Sequence, residues 1–389
     1  MQKMNVPYSY LTEQYRRGSA LREHILVDLN DLMDDGQYTL GWPVKRFERA
    51  FEKTFKVKHA IGVSNGTDAL ALSLVALGLN NQNQWVAAPS ATFVATIGAI
   101  LQAGANVRLV DVDPQGLIDK SAAHRTPARC VIGVDWGGMP VSWDSDNNWL
   151  EGKHFIRDAA QSIGASINGV SVANLGECVC FSLHPLKNLN VMGDGGVIAT
   201  NDDALAKELR LLRNHGLADR DTVARPGFNH RLSSLQAISA YWQLALPYTM
   251  ENLDWVIEQR IRNARSYDTW LKKCPMVQIS PRIPEVKAVY HLYVIQAERR
   301  NDLVRYLQSQ GIEAKVNYPV PCHLQPGFAF LGYGSGSLPE TERQAQRIIS
   351  LPIHQYLRDE QIEYAATCIQ SFYQDPEKAL SEATANRAG

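Results

Sequence analysis

Lys187 stands in the stretch "FSLHPLKNLNVMGDGG", residues 181–196, with a proline before it, two asparagines after it and a glycine cluster beyond. A lone primary amine in such a loop is either a solvated cation or a nucleophile that can condense with a carbonyl carbon. Two further groups occupy comparable places. In "HAIGVSNGTDALALSLVAL" an apolar strand runs into Asn65-Gly66-Thr67 and a helix begins at once. A helix start offers unpaired backbone amides and a positive dipole end, and a glycine there lets a ligand approach the backbone. Its natural guest is a phosphate; the plainer reading is a strand–turn–helix with a Thr or Asp cap. In "RDAAQSIGA", Asp158 closes an otherwise apolar strand, where an unpaired carboxylate is costly. It calls for a cation or a proton donor, and alone it reads as half of a structural salt bridge.

The elements that must position these groups are legible between residues 58 and 200. "WVAAPS", "VRLVDVD", "RCVIGVD", "HFIRDAA", "CVCFSL" and "GVIATND" read as short strands, mostly apolar throughout rather than alternating. Strands buried on both faces look like this, as in a parallel or mixed sheet covered by helices. "DALALSLVALGL" and "FVATIGAILQAGA" supply helices between them. The pattern predicts an α/β large domain, residues 1–249, with a central sheet of six or seven strands and an amino-terminal helical segment. Helical stretches at about 232–246 and 250–272 follow, then a strand "AVYHLYVIQ". A helix "NDLVRYLQSQG" starts at an Asn-Asp cap and stops at Gly311. "TERQAQRIISLP" and "RDEQIEYAATCIQSFY" read as further helix, and "PEKALSEATANRAG" as a frayed tail. Residues 250–389 thus form a smaller α+β domain.

Composition narrows the function classes. A chain of 389 residues, 45% hydrophobic and 20% charged, is long enough for two domains in contact. Its net charge of −1 leaves no basic excess for nucleic acid or an anionic membrane surface, so a small molecule or a second copy is the expected partner. The polar amino terminus lacks the apolar core of a signal sequence, and no run of roughly 18 apolar residues suggests a membrane span. The six cysteines are scattered; the pair in "CVC" points to one face of a strand, which suits buried thiols and a reducing cytoplasm better than a metal site or a disulfide.

A phosphate cradle, a buried aspartate and a lysine, each at a strand's end, together describe a site for pyridoxal 5′-phosphate. The amine makes a Schiff base with the cofactor's aldehyde, and the carboxylate keeps the pyridine nitrogen protonated so that the ring withdraws electrons. The sequence resembles the DegT/DnrJ/EryC1/StrS family of pyridoxal-phosphate-dependent sugar aminotransferases from "LGWPVKRFERAF" to "SLPIHQYLRDEQIEYA". The pieces "AIGVSNGTDALALSL", "PSATFVATIGAIL", "RDAAQSIGA", "FSLHPLKNLNVMGDGG", "GFNHRLSSLQA" and "YPVPCHLQP" follow in the family's order. The resemblance implies an aspartate-aminotransferase-like architecture (fold type I), with a mixed, mostly parallel sheet. It implies that Lys187 is the Schiff-base lysine, Asp158 the partner of the ring nitrogen and Gln161 the donor to the cofactor's phenolic oxygen. Gly66, Thr67 and Ser182 would hold the phosphate, and Phe93 would stack on the ring, although taken alone it reads as core. Asn229 matches a residue that reaches the neighbouring subunit's phosphate, which implies a homodimer with shared sites. Arg231 is a candidate for the donor's carboxylate or else a surface ion pair. His323 falls in a region placed near substrate or is structural, and His184 reads as a hydrogen-bonding residue that sets the lysine loop. Asp194 and the glycines of "MGDGG" read as a tight turn.

The implied reaction moves an amino group from an amino acid, glutamate first, to a keto sugar, most often nucleotide-linked. A keto-cyclitol of the scyllo-inosose type, on the way to aminoglycosides, is the alternative acceptor. Relatives that deoxygenate sugars have a histidine in place of the lysine, so Lys187 argues against a dehydratase. The joint presence of Lys187, Asp158 and Gln161 argues against a non-catalytic, cofactor-binding regulator. The chain departs from the family's pattern at "VDWGGMPVSWD" and "LGWPV", where Asp135 with Trp136, and Trp42, either reshape the substrate pocket or pack beneath it.

Overall fold

The computed structural model describes residues 3–143, 147–248 and 251–388. Its strands are β1 (His59–Val63), β2 (Trp85–Pro89), β3 (Asn106–Val110), β4 (Cys130–Val134), β5 (His154–Asp158), β6 (Ser166–Ile167), β7 (Val170–Ser171), β8 (Cys178–Ser182), β9 (Gly196–Thr200), β10 (Val277–Ile279), β11 (Val286–Lys287), β12 (Tyr293–Ala297) and β13 (Ile348–Leu351). Its helices are α1 (Leu11–Gln14), α2 (Ala20–Asp35), α3 (Trp42–Phe55), α4 (Gly66–Ala76), α5 (Val94–Ala103), α6 (Lys120–Arg125), α7 (Asp203–Leu212), α8 (Ser234–Ala245), α9 (Leu253–Leu271), α10 (Arg300–Ser309), α11 (Pro339–Ala345), α12 (Asp359–Gln374) and α13 (Pro376–Ala388).

Seven strands form the central sheet in the order β1-β9-β8-β5-β4-β2-β3. All are parallel except β9, which runs antiparallel to both β1 and β8. The expected mixed, mostly parallel α/β layer is therefore present, with all six of the strands read from apolar runs and β1 beside them. The reason is burial on both faces. Ile132, Ile156, Cys178, Cys180 and Ile198 pack with α4 and α5 on one side. Phe181, Val179, Val197 and Ala199 pack with Phe47 and Phe51 of α3 on the other. The six cysteines are buried as free thiols. Register sets Val134 of β4 and Cys180 of β8 level with Asp158 of β5, which places the aspartate in the last row at the carboxyl end of the sheet.

A second, antiparallel sheet, β10-β12-β13, packs with α9, α10 and α12 around Tyr267, Tyr293, Ile349, Ile369 and Phe372. The expected boundary at 249–250 lies outside the described residues. Residues 4–6, expected with the large domain, lie instead against this second core: Val6 is fully buried in it and bridges to Ile312. Three local expectations are corrected. "RIISLP" is not helix, because Ile348–Leu351 is buried throughout and pairs with β12. The helix read at "NDLVRYLQSQG" begins after Arg299, which is left-handed with φ 51°, and no side chain caps it. The carboxyl-terminal segment is a helix rather than a frayed tail, because Ala379 and Ala383 bury themselves in the second core. Among the described residues no helix is long and apolar enough to cross a membrane.

Candidate active site

The carboxyl ends of the parallel strands open into a cavity of about 640 Å³ that is closed on its far side by residues beyond 251. Ligands of open α/β sheets bind at this edge, where the loops converge. Three strand ends supply the groups singled out in the sequence.

From β1 the chain turns into α4 through Asn65, whose side chain caps the helix by accepting from the Asp68 amide at 2.8 Å. Asparagine, rather than the expected Thr or Asp, is the cap. Asp68 lines the cavity too; burial pushes its carboxyl up, but the contact with His230 at 3.1 Å and bonds from Ser64 and Gln102 outweigh that and hold it down at about 2. Gly66 and Thr67, in the first turn, line the cavity with Ser182. Their amides belong to the group that an α-helix leaves without intrahelical partners. A Cβ on Gly66 would stand 2.9 Å from Cβ of Ser182, so the absent side chain is what lets β8 and α4 converge here.

Asp158 is buried, its Oδ2 accepting from Thr96 Oγ1 at 2.8 Å and its Oδ1 from the Ala160 amide at 3.2 Å. Burial pushes its pKa up, opposed by these bonds and by the charge of Lys187. Lys187 lines the same cavity, half-buried. Burial pulls its amine down to about 8, with Asp158 opposing. The lysine loop is held by its backbone: the Lys187 carbonyl accepts from Tyr10 Oη and Asn190 Nδ2, both at 3.0 Å, and its amide donates to the His184 carbonyl at 2.8 Å. Asn188, the first of the two asparagines, donates to the Val289 carbonyl. Lys187 is thus not a solvated loop residue.

Gln161 accepts from the Gly137 amide at 2.6 Å through Oε1, and its NH₂ faces the Tyr318 hydroxyl across the cavity that both residues line. Phe93 is 53% exposed and lines the cavity 5.5 Å from the ring of Tyr318, so it is not core. His184 also lines the cavity; its Nδ1 accepts from the Leu186 amide, as a loop-setting residue would, and burial with the charge of Lys187 lowers its pKa. Asp194, read as a turn former, is a lining residue too.

Three expected site residues do not join this cavity. The ring of His323 is buried between Ser90 Oγ at 2.7 Å and Glu342 Oε1 at 3.0 Å, so it ties the end of β2 to α11 and does not line the cavity. Arg231 donates to Asn214 at 2.9 Å. Asn229 is exposed, outside its own chain's cavity. The two tryptophans also lie apart. Trp136 is buried in a core cluster, and beside it Asp135 is fully buried in a pair with Arg157 at 2.6 Å and a bond from Ser162. Trp42 donates to Asp35 and stacks on Arg46. Sequence reading missed Tyr10, Thr96, Arg260, His291, Asn317 and Tyr318. Thr96 left a signal, a polar residue inside the apolar helix of "PSATFVATIGAIL".

The model of the DegT/DnrJ/EryC1/StrS aminotransferase family matches residues 19–370. The chain belongs to that family. It is 37% identical to the "pleiotropic regulatory protein" of Geobacillus stearothermophilus, over 95% of this chain and 99% of the other. To the dTDP-3-amino-3,4,6-trideoxy-alpha-D-glucose transaminase of Streptomyces venezuelae it is 33% identical, over 90% of this chain and 92% of that one. It superposes on the crystal structure of S. venezuelae DesV in complex with a ketimine intermediate with a TM-score of 0.89 at 32% identity, covering 95% and 98% of the two chains. The chain is an enzyme of the transaminase class with the fold of pyridoxal-phosphate aminotransferases, and pyridoxal 5′-phosphate is its cofactor. The site fits that group. The amine, the buried carboxylate, the side-chain amide of Gln161 and the open first turn of α4 share one cavity, so the aldehyde, ring nitrogen, phenolic oxygen and phosphate each have a group that could receive them.

Proposed function

We propose that this protein transfers the amino group of an amino acid, glutamate first, to the keto group of a nucleotide-linked sugar in amino-sugar biosynthesis. The observation that carries the reading is the sharing of one cavity by Lys187 and Asp158, an amine made partly neutral by burial and a carboxylate with few protein partners. Pyridoxal phosphate supplies an aldehyde that takes up amines covalently and a ring that draws electrons from the bonds next to them. Asp158 holds a proton on the ring nitrogen, and Thr96 and the Ala160 amide hold Asp158. Lys187 Nζ would hold the cofactor's aldehyde carbon and, when free, would take and return a proton at the substrate carbon, a task suited to an amine that burial brings to about 8. Gln161 would donate to the phenolic oxygen, Phe93 would cover the ring, and the first turn of α4 with Ser182 would receive the phosphate.

The acceptor class is supported by the likeness to a dTDP-sugar transaminase. A keto-cyclitol is the second acceptor to assay. A purely regulatory role has a namesake among the relatives but leaves the assembled amine and carboxylate without a task. The same reading makes the active unit a cytoplasmic homodimer, in which Asn229 of each subunit serves the other's phosphate. Support comes from the exposure of Asn229 and of neighbouring Phe228. Adding glutamate to the cofactor-loaded protein should bleach its visible absorbance, and a panel of keto sugars and a keto-cyclitol should restore it with one acceptor class. Lys187→Ala should show neither the visible band nor turnover. A wild-type spectrum indifferent to every amino acid would leave the regulator, and full turnover in the alanine variant would remove Lys187 from the chemistry.

A further inference from the structure

The carboxylates that line the cavity, Asp68, Asp158 and Asp194, all come from the large-sheet side; the residues beyond 251 that line it include Arg260, Lys315 and two histidines but no carboxylate. Arg260, on α9, is only 2% exposed. Its Nη1 donates to the carbonyls of Tyr290 at 3.1 Å and His291 at 3.5 Å, and its guanidinium lies 5.2 Å from the centre of the Tyr10 ring. Its Nε has no hydrogen-bond partner, and no carboxylate pairs with it among the described residues. A guanidinium stays protonated even where burial lowers its pKa, as here. A buried charge compensated by carbonyl dipoles, a hydrogen bond with Tyr10 and an aromatic face, with no carboxylate, is incompletely neutralised.

Among the described residues beyond 251 that line the cavity, no other offers a cation at that depth. His291 is driven far toward the neutral form by burial and by the charges of Lys187 and Arg260, and burial holds His354 at about 4. Lys315 is exposed, with its amine 4.3 Å from the centre of the Tyr8 ring. Arg231, the sequence's candidate for a donor carboxylate, is engaged by Asn214 outside the cavity. We infer that Arg260 is the anchor for a carboxylate of the amino donor, which completes the guanidinium's bonding on the wall formed by the carboxyl-terminal part of the chain. The inference rests on the aminotransferase reading. It adds the residue that makes an amino acid, rather than a simple amine, the donor. Arginine suits the role because its planar fork matches a carboxylate. Through the Tyr10 ring and the bond from Tyr10 Oη to the Lys187 carbonyl, the anchor is joined to the loop of the reacting amine.

The test separates recognition of a carboxylate from support of the fold. In the cofactor-loaded Arg260→Gln protein, glutamate should bleach the visible band with a KM about 10- to 100-fold higher, the expected loss for one charged hydrogen-bonded pair. Hydroxylamine, which attacks the same carbon and has no carboxylate, should react at the wild-type rate. Arg260→Lys should fall between the two in KM. By calorimetry the wild-type holoenzyme should bind glutarate and not its uncharged diamide, glutaramide, which keeps the inference testable if the glutamine variant fails to fold. An unchanged KM, equal slowing toward hydroxylamine, or equal binding of glutarate and glutaramide overturns the anchor. A wild-type protein that reacts with no amino acid overturns the aminotransferase reading instead.

Discussion

At Lys187 the burial that makes the site also sets its pH response. Only the free amine attacks an aldehyde, and an ordinary lysine near 10.4 is about 0.04% free at pH 7. Burial lowers this one to about 8, so roughly a tenth is free at that pH. Lowering favours the neutral form, so reactivity rises with pH and levels off above the shifted value. Capture of pyridoxal phosphate by cofactor-free protein, followed by its visible absorbance, should therefore rise through pH 8 and plateau; a rise continuing to pH 10 would show an amine open to water. Lys187, Asp158 and Gln161 were legible because each lies on or next to a strand end that the apolar runs mark. Arg260 and His291 were not, because they reach the cavity from α9 and the segment before β12. An arginine on a helix reads as a solvated face until tertiary packing buries it.

The contact between the start of α4 and the end of β8 is where two elements must meet closely. Gly66→Ala places a Cβ 2.9 Å from Cβ and 3.3 Å from Cα of Ser182, on the side where the phosphate would sit. Backbone must give there, so α4 and Ser182 are pushed apart. We expect cofactor affinity to fall about tenfold or more, with a loss of roughly 1–3 kcal/mol in thermal stability. Equilibrium dialysis against pyridoxal phosphate and a melting curve test it, and unchanged affinity would remove this contact from phosphate binding. The strands of the large sheet were readable because, buried on both faces, they are mostly apolar on both, with Arg108, Arg157 and Asp158 among the exceptions. β13 was not, since "RIISLP" follows α11 with no glycine or proline between, and its short run of Ile348, Ile349, Ser350 and Leu351 fits either period. The last helix was missed because its small apolar residues, Ala379 and Ala383, signal burial only once the second core is there to receive them.

For the whole molecule, the question is which chain completes the phosphate site. Asn229 is exposed and outside its own cavity, yet its neighbour His230 contacts Asp68 at the head of α4, so it stands on the surface close to the phosphate end of the site. A second copy docked over that surface would bring its own Asn229 toward this chain's cofactor. The arrangement predicts complementation. Lys187→Ala and Asn229→Asp should each be inactive alone, the first for want of the amine, the second because a carboxylate faces the phosphate. Mixed and allowed to exchange subunits, they form dimers in which one site pairs an intact Lys187 with the other chain's intact Asn229, while the second site carries both defects. With random exchange, half the dimers are mixed and each has one working site of two, so activity should recover to about a quarter of wild type. If Asn229 served its own chain, neither site of the mixed dimer would be whole, and no recovery would follow at any mixing ratio.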